Sequence, residues 1–126
     1  MQSRQRGNAY MTTRLPKHLF DARGAARLAT EFVVGIDDEA YAGNVLVRSA
    51  VERQLEILGE ACRRAVDEEP PLRERIPEMA LAIALRNRII HGYDRLEHAI
   101  LLDTVRRDLP VLIQALVREL ERFPAP

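Results

Sequence analysis

Apolar positions recur at spacings of three and four along most of the chain and nowhere alternate residue by residue. Such spacing lays one stripe along a helix, whereas a half-buried strand needs a period of two. The helical pattern begins at Pro16, a residue suited to a first helical turn. Leu19, Ala22, Ala26, Ala29 and Val33 then predict a first helix, with Gly35 as its stop. Residues 1–15, MQSRQRGNAYMTTRL, are polar and aperiodic. They read as a flexible N-terminal tail, within which Met11 is a second candidate start.

A second helix is predicted over residues 44–67, roughly 34 Å long. Val47, Val51, Gln54/Leu55, Leu58, Ala61/Cys62 and Ala65 mark its apolar face, and Pro70 and Pro71 end it. A short helical turn fits LRER. Pro77 opens a third helix, with Gly92 as its end. A fourth starts near Leu96 or Glu97 and carries the stripe Leu102, Val105, Leu109, Leu112, Leu116 and Leu120. Pro110 lies inside it. The stripe keeps its phase on both sides, so a kink is expected there rather than a break. Together these elements predict one all-α domain over residues 16–122, an antiparallel four-helix bundle.

Composition narrows the partners more than the fold. Of the 126 residues 47% are apolar and 5% aromatic, which suits an aliphatic helical core. Nineteen basic residues balance 19 acidic ones, so broad electrostatic coating of a nucleic acid is not expected, although a local basic site is compatible. Only Lys17 among the basic residues is lysine. Arginine suits bidentate contacts to phosphate or carboxylate, but genomic base composition is the plainer cause of that bias. A lone Cys62 forms no internal disulfide and falls on the apolar stripe, as a small core residue does. The longest apolar run, residues 79–85, is far below the roughly 20 needed to span a bilayer. A cytoplasmic protein with no membrane association is therefore expected.

That same run leads into LRNRIIHGYD, residues 85–94. A helix apolar all round reads as buried, yet this one continues into Arg86, Asn87, Arg88, His91 and Tyr93. On an ideal helix Asn87 and His91 lie about 40° apart, while Arg86 and His91 diverge by about 140° and about 7.5 Å along the axis. Charged groups on a buried helix need partners. Packing of the helix against its own copy about a two-fold axis would let Arg86 and His91 of both chains share one cleft. A histidine there can exchange protons near neutrality and an arginine can neutralise phosphate charge. The fitting reaction is RNA cleavage by the substrate's own 2′-hydroxyl, with no metal or cofactor. Spacing alone leaves open a packed or capped histidine.

Arg86, His91 and Tyr93 form R-x(4)-H-x-Y, with the polar Asn87 after the arginine, and this resembles the motif of HepT-type HEPN toxins. LEILGEA at 55–61 is similar to the family's second-helix signature, and DTVRRDLPVL at 103–112 to the region of its kinked last helix. The resemblance spans residues 17–120. It implies a helical homodimer with the motif facing the dimer cleft, and a metal-independent endoribonuclease. Arg86 and His91 would be catalytic, with Asn87 and Tyr93 supporting them and binding RNA. It also implies a toxin–antitoxin pairing with an MNT-type nucleotidyltransferase, which would transfer AMP to Tyr93 and block the cleft. A larger toxin–antitoxin assembly is compatible with this. The chain departs from the pattern in carrying Asp94 and Arg95 where an aromatic and a glycine are common, and Leu102 where a tryptophan is. Asp94 places a negative charge beside the expected RNA site.

Two other readings remain: a non-catalytic helical partner or substrate-binding subunit of the nucleotidyltransferase, and a dimer whose polar motif only sets register. Glu56 and Glu60, one turn apart, have a spacing seen in carboxylate metal sites, but flanking Arg53, Arg63 and Arg64 favour ion pairing. His18 and His98 are expected at the surface, DEEPPLRER as a solvated turn, and Asp94 with Glu97 as a capping box, with Glu97 itself as the competing cap.

Overall fold

A computed structural model describes residues 2–91 and 97–124, with backbone alone for residues 2–13. Among the described residues six helices follow one another: α1 (Gln2–Phe32), α2 (Asp38–Gly43), α3 (Val45–Glu68), α4 (Leu72–Arg75), α5 (Pro77–His91) and α6 (His98–Leu120). There is no strand among the described residues. The four long helices form the expected bundle, with α4 as the turn of helix expected at LRER. α3 is the hub: it packs against α1 on one side and α5 on the other, and α1 in turn packs against α6.

The stripes go where their periodicity sends them. Leu19, Ala22, Ala26 and Ala29 of α1 and Val33 just after it are buried, as are Val51, Leu55, Leu58, Ala61, Cys62 and Ala65 of α3. Leu102, Val105, Leu109, Leu112 and Leu116 of α6 are buried too, and Leu120 is half-buried. Alanines on α1 and small residues on α3 let these two helices lie close. Asn44 caps α3, its Oδ1 accepting from the Val47 N–H at 3.0 Å. Gly35, at φ +75°, closes the turn after α1, where a side chain would be strained. Helix α6 runs unbroken through Pro110, which faces solvent, so the missing N–H costs one hydrogen bond without a buried clash.

Several expectations are corrected. Helix α1 begins at Gln2 rather than Pro16, and Pro16 sits inside it. Helix α2 has no apolar stripe to announce it. It is held by Asp37, whose Oδ1 accepts from the Ala40 N–H at 2.7 Å, and by Tyr41, which is fully buried. His98 is not at the surface: its ring meets Tyr41 edge-on at 6.1 Å, and its Nε2 lies 3.4 Å from Arg48 Nη1. His18 is also half-buried, with Nε2 3.8 Å from Glu68. Glu97 does sit at the N-cap of α6, but makes no side-chain capping bond, and Asp94 lies outside the described residues.

DEEPPLRER is more than a solvated turn. Arg75 of α4 bonds Glu69 and also Glu119 of α6, the latter at 2.8 and 3.0 Å. Arg122 bonds Glu69 and Glu119 at 2.9 Å each. The four charges clamp the α3–α4 corner to the end of α6. Hydrogen bonds from Arg122 and Arg75 hold the Glu69 carboxyl below its ordinary 4.5. For Glu119, burial pushes upward, but bonds from the same arginines outweigh it and the carboxyl is lowered. A carboxyl lowered in the fold binds fewer protons than in the unfolded chain, so its stabilisation is lost as pH falls. Stability should therefore decline as pH drops below about 4.5. Glu119→Gln should make that decline shallower and cost about 1–3 kcal/mol near neutrality, both read from urea midpoints against pH.

Where α5 crosses α3, the backbones meet at Gly59. A Cβ built there would stand 2.3 Å from Arg86 Cβ and 2.9 Å from the Ala82 carbonyl oxygen. Within the chain, it is α5 that makes the approach. Gly24 of α1, by contrast, has nothing within 4 Å of its added Cβ. Alanine gains up to about 1 kcal/mol of helix propensity over glycine at either position, while overpacking costs about 1–3 kcal/mol. Gly24→Ala should raise the denaturation midpoint and Gly59→Ala should lower it.

Candidate functional site

Helix α5 carries the polar motif and has two unlike sides. Met79, Ala82, Leu85 and Ile89 are buried against the bundle. Leu81, half exposed at 50%, Ala84, Arg88 and His91 face outward, as does Asn87. The apolar run of residues 79–85 is thus not buried all round within one chain. At 100° per residue Leu81, Ala84, Arg88 and His91 fall within an arc of about 80°. They make one exposed strip.

Arg86 leaves the helix on the other side. Its side chain is 26% exposed, with Nη2 3.7 Å from Glu60 Oε1 and Nη1 3.3 Å from Asn87 Oδ1. It lines a cleft of about 360 Å³ between α1, α3 and α5, together with Lys17, His18, Arg53, Glu56 and Ile90. Charges in this cleft are nearly matched: Lys17 pairs with Asp21 at 3.0 Å, Arg53 with Glu56 at 3.4 Å, and Arg64 with Glu60 at 3.2 Å. The expected ion pairing of Glu56 and Glu60 is what the fold contains. Arg63, which bonds Glu60 at 3.0 and 3.1 Å, is the main reason the Glu60 carboxyl falls to about 2; Arg64 and Arg86 add to the effect against a smaller opposing push from burial.

The expected site residues are therefore only partly assembled. Asn87 and Arg86 are in contact, but Arg86 and His91 point about 140° apart on one helix. His91 is exposed at the end of α5, and Tyr93 lies outside the described residues, with Gly92, Asp94 and Arg95. One contact escaped the sequence: Glu60, 26 positions before Arg86, touches its guanidinium. The only linear trace is the Gly–Glu step in LEILGEA, and the flanking arginines made that glutamate look fully occupied.

Other reactive groups have structural explanations. Burial raises the Cys62 thiol to about 12, so it carries no thiolate for chemistry. Burial likewise lifts the Tyr41 hydroxyl to about 12, with Glu52 adding to it against a smaller effect of Arg48. No group of three or more His, Cys, Asp or Glu is placed to hold a metal ion among the described residues. No described helix is long and apolar enough to cross a membrane.

Comparison with known proteins gives this geometry a context. A family model described as "Ribonuclease HepT-like" matches residues 22–119, which include α3, α5 and most of α6. A protein of Methanocaldococcus jannaschii named "Putative RNase MJ1380" is 34% identical over 94 residues, covering 73% of this chain and 84% of its own. One of Thermococcus cleftensis named "Probable ribonuclease HepT" is 33% identical over 95 residues, covering 75% and 86%. No solved structure matches the chain. A helical bundle bearing Arg86 and His91 on one helix, matched over most of its length, belongs to the HepT-like ribonuclease family.

Proposed function

We propose that the chain is a metal-independent endoribonuclease acting as the toxin of a toxin–antitoxin pair, with a composite site built from Arg86 and His91 of two copies. The observation that carries this reading is the family match across α5, the helix that holds both residues. The strip of Leu81, Ala84, Arg88 and His91 is the surface on which a second copy would pack. Leu81 and Ala84 supply apolar contact there, and His91 stands at one end. Two-fold packing repeats each residue across the axis. Arg86 leaves α5 away from this strip, so the copies would have to meet near its His91 end for Arg86 and His91 of two chains to share one cleft.

In such a site the 2′-oxygen of the RNA attacks the adjacent phosphorus as its proton passes to a base. The bond to the 5′-oxygen breaks, and that oxygen takes up a proton. His91 is the group suited to moving these protons. Arg86 offers planar paired N–H donors to the non-bridging phosphate oxygens as charge builds on them. Asn87 and Tyr93 would bind the flanking RNA. Control would come from a nucleotidyltransferase of the MNT type. The Tyr93 oxygen would attack the α-phosphorus of ATP, forming the Tyr–AMP ester as pyrophosphate leaves. The added anion and nucleoside oppose RNA entry by charge and by bulk.

The test is RNA cleavage in EDTA by protein whose mass excludes bound AMP. Wild type should cleave, while His91→Ala and Arg86→Ala should each lose about 10²-fold or more. Equal cleavage by the variants would overturn the assignment. No cleavage by AMP-free wild type would favour a helical partner of the nucleotidyltransferase over an enzyme. With that partner and ATP, the wild type should gain the mass of AMP and Tyr93→Phe should not. An equal gain in both would move the modification elsewhere.

A further inference from the structure

We propose that Gly59 and Glu60 of α3 form a seat that aims the Arg86 guanidinium, with Glu60 as its positioning residue. The proposal rests on the reading of Arg86 as the phosphate-binding group. The seat begins with the backbone. Because Arg86 Cβ occupies the space a Gly59 side chain would need, α5 can lie directly on α3 at this residue. The Arg86 side chain therefore starts against α3, beside the next residue along, Glu60.

Two groups then flank the fork from different sides: the Glu60 carboxylate as an ion-pair contact, its Oε1 3.7 Å from Nη2, and Asn87 Oδ1 as a hydrogen-bond acceptor 3.3 Å from Nη1. A carboxylate so near a phosphate-binding arginine would ordinarily compete with the phosphate. Here it is already engaged. Arg63 bonds both Glu60 oxygens, at 3.1 and 3.0 Å, and Arg64 bonds one at 3.2 Å. A carboxylate has about four acceptor positions, and the three shorter bonds take most of them. The longer contact left for Arg86 is enough to orient it and too weak to retain it. Its remaining N–H groups stay available to a phosphate entering the cleft. Arg63 and Arg64 thus act on Arg86 through Glu60, by keeping that carboxylate from closing on it.

Glu60→Gln tests the seat, with Glu60→Asp as a second variant that keeps the charge but shortens the reach. The first readout needs no activity. In ¹⁵N-labelled protein the Arg86 Nε–H resonance, identified by its absence in Arg86→Ala, should be distinct and slow to exchange in the wild type. In Glu60→Gln it should exchange faster and move toward the position of free arginine, with Glu60→Asp between the two. The second readout is cleavage. A misaimed group costs between about tenfold and 10²-fold, and the loss should fall on kcat with KM nearly unchanged. The third is chemical rescue: guanidinium ion should restore part of the cleavage lost in Arg86→Ala, but none in Arg86→Ala/Glu60→Gln, where the seat is gone. An unchanged Arg86 resonance in Glu60→Gln, an unchanged kcat, or equal rescue of the single and double variants would overturn the proposal. If instead Arg86→Ala cleaves like the wild type, it is the ribonuclease assignment of Arg86 that fails, and the resonance alone decides the seat.

Discussion

The contact of α3 with α5 at Gly59 is the constraint around which this structure is organised. Helices ordinarily keep 8–10 Å between their axes because side chains stand between them. Where one side chain is absent, the partner helix comes in until its own backbone touches. At Gly59 the touching atoms are the Ala82 carbonyl and the first carbons of Arg86. One missing methyl group therefore determines both how α5 lies and where its arginine leaves the helix. α3 can serve as the hub because it does this on one side while presenting Leu55, Leu58 and Cys62 to the core.

Charge is managed locally rather than by net excess. Eighteen arginines could repel one another across so small a bundle, but Arg53, Arg63, Arg64, Arg75, Arg86, Arg107 and Arg122 have carboxylate partners within a turn or across a corner. Exposed pairs of this kind contribute little to stability, about 0–1 kcal/mol each. The Arg75–Glu69–Glu119–Arg122 cluster is more consequential, because Glu119 is buried and its bonds join segments far apart in sequence. In the cleft the same matching has a different result. Neutralised cations leave a weak overall field, so what distinguishes the cleft is the orientation of individual groups such as Arg86.

The two sides of α5 have different surroundings. The side facing α3 holds Arg86 beside Gly59 and Glu60 within one chain. The outward side exposes Leu81 and Ala84 beside Arg88 and His91. Arg86 and His91 therefore leave one helix in directions about 140° apart, and this chain by itself does not bring them together.

Much of this was legible in the residues. The period of Leu102, Val105, Leu109, Leu112 and Leu116 determined a helix with one buried stripe, because a 3.6-residue repeat can bury a stripe in no other regular structure. Asn44 and Pro77 marked helix starts through capping chemistry and a fixed φ, both local effects. Arg86, His91 and Tyr93 were visible as a motif because they lie within one short segment. Pairings across the chain were not visible. Tyr41 on His98, Glu119 on Arg75 and Glu60 on Arg86 join residues 26 to 57 positions apart. Helix α2 had too few apolar residues to show a period, and α1 extended into a polar segment that needs no stripe to be helical. Periodicity reports which face of a helix is buried, but not what it is buried against. That Gly59 receives α5, and that Arg86 is thereby turned toward Glu60 and away from His91, depended on backbone approach in three dimensions, which only the tertiary structure decided.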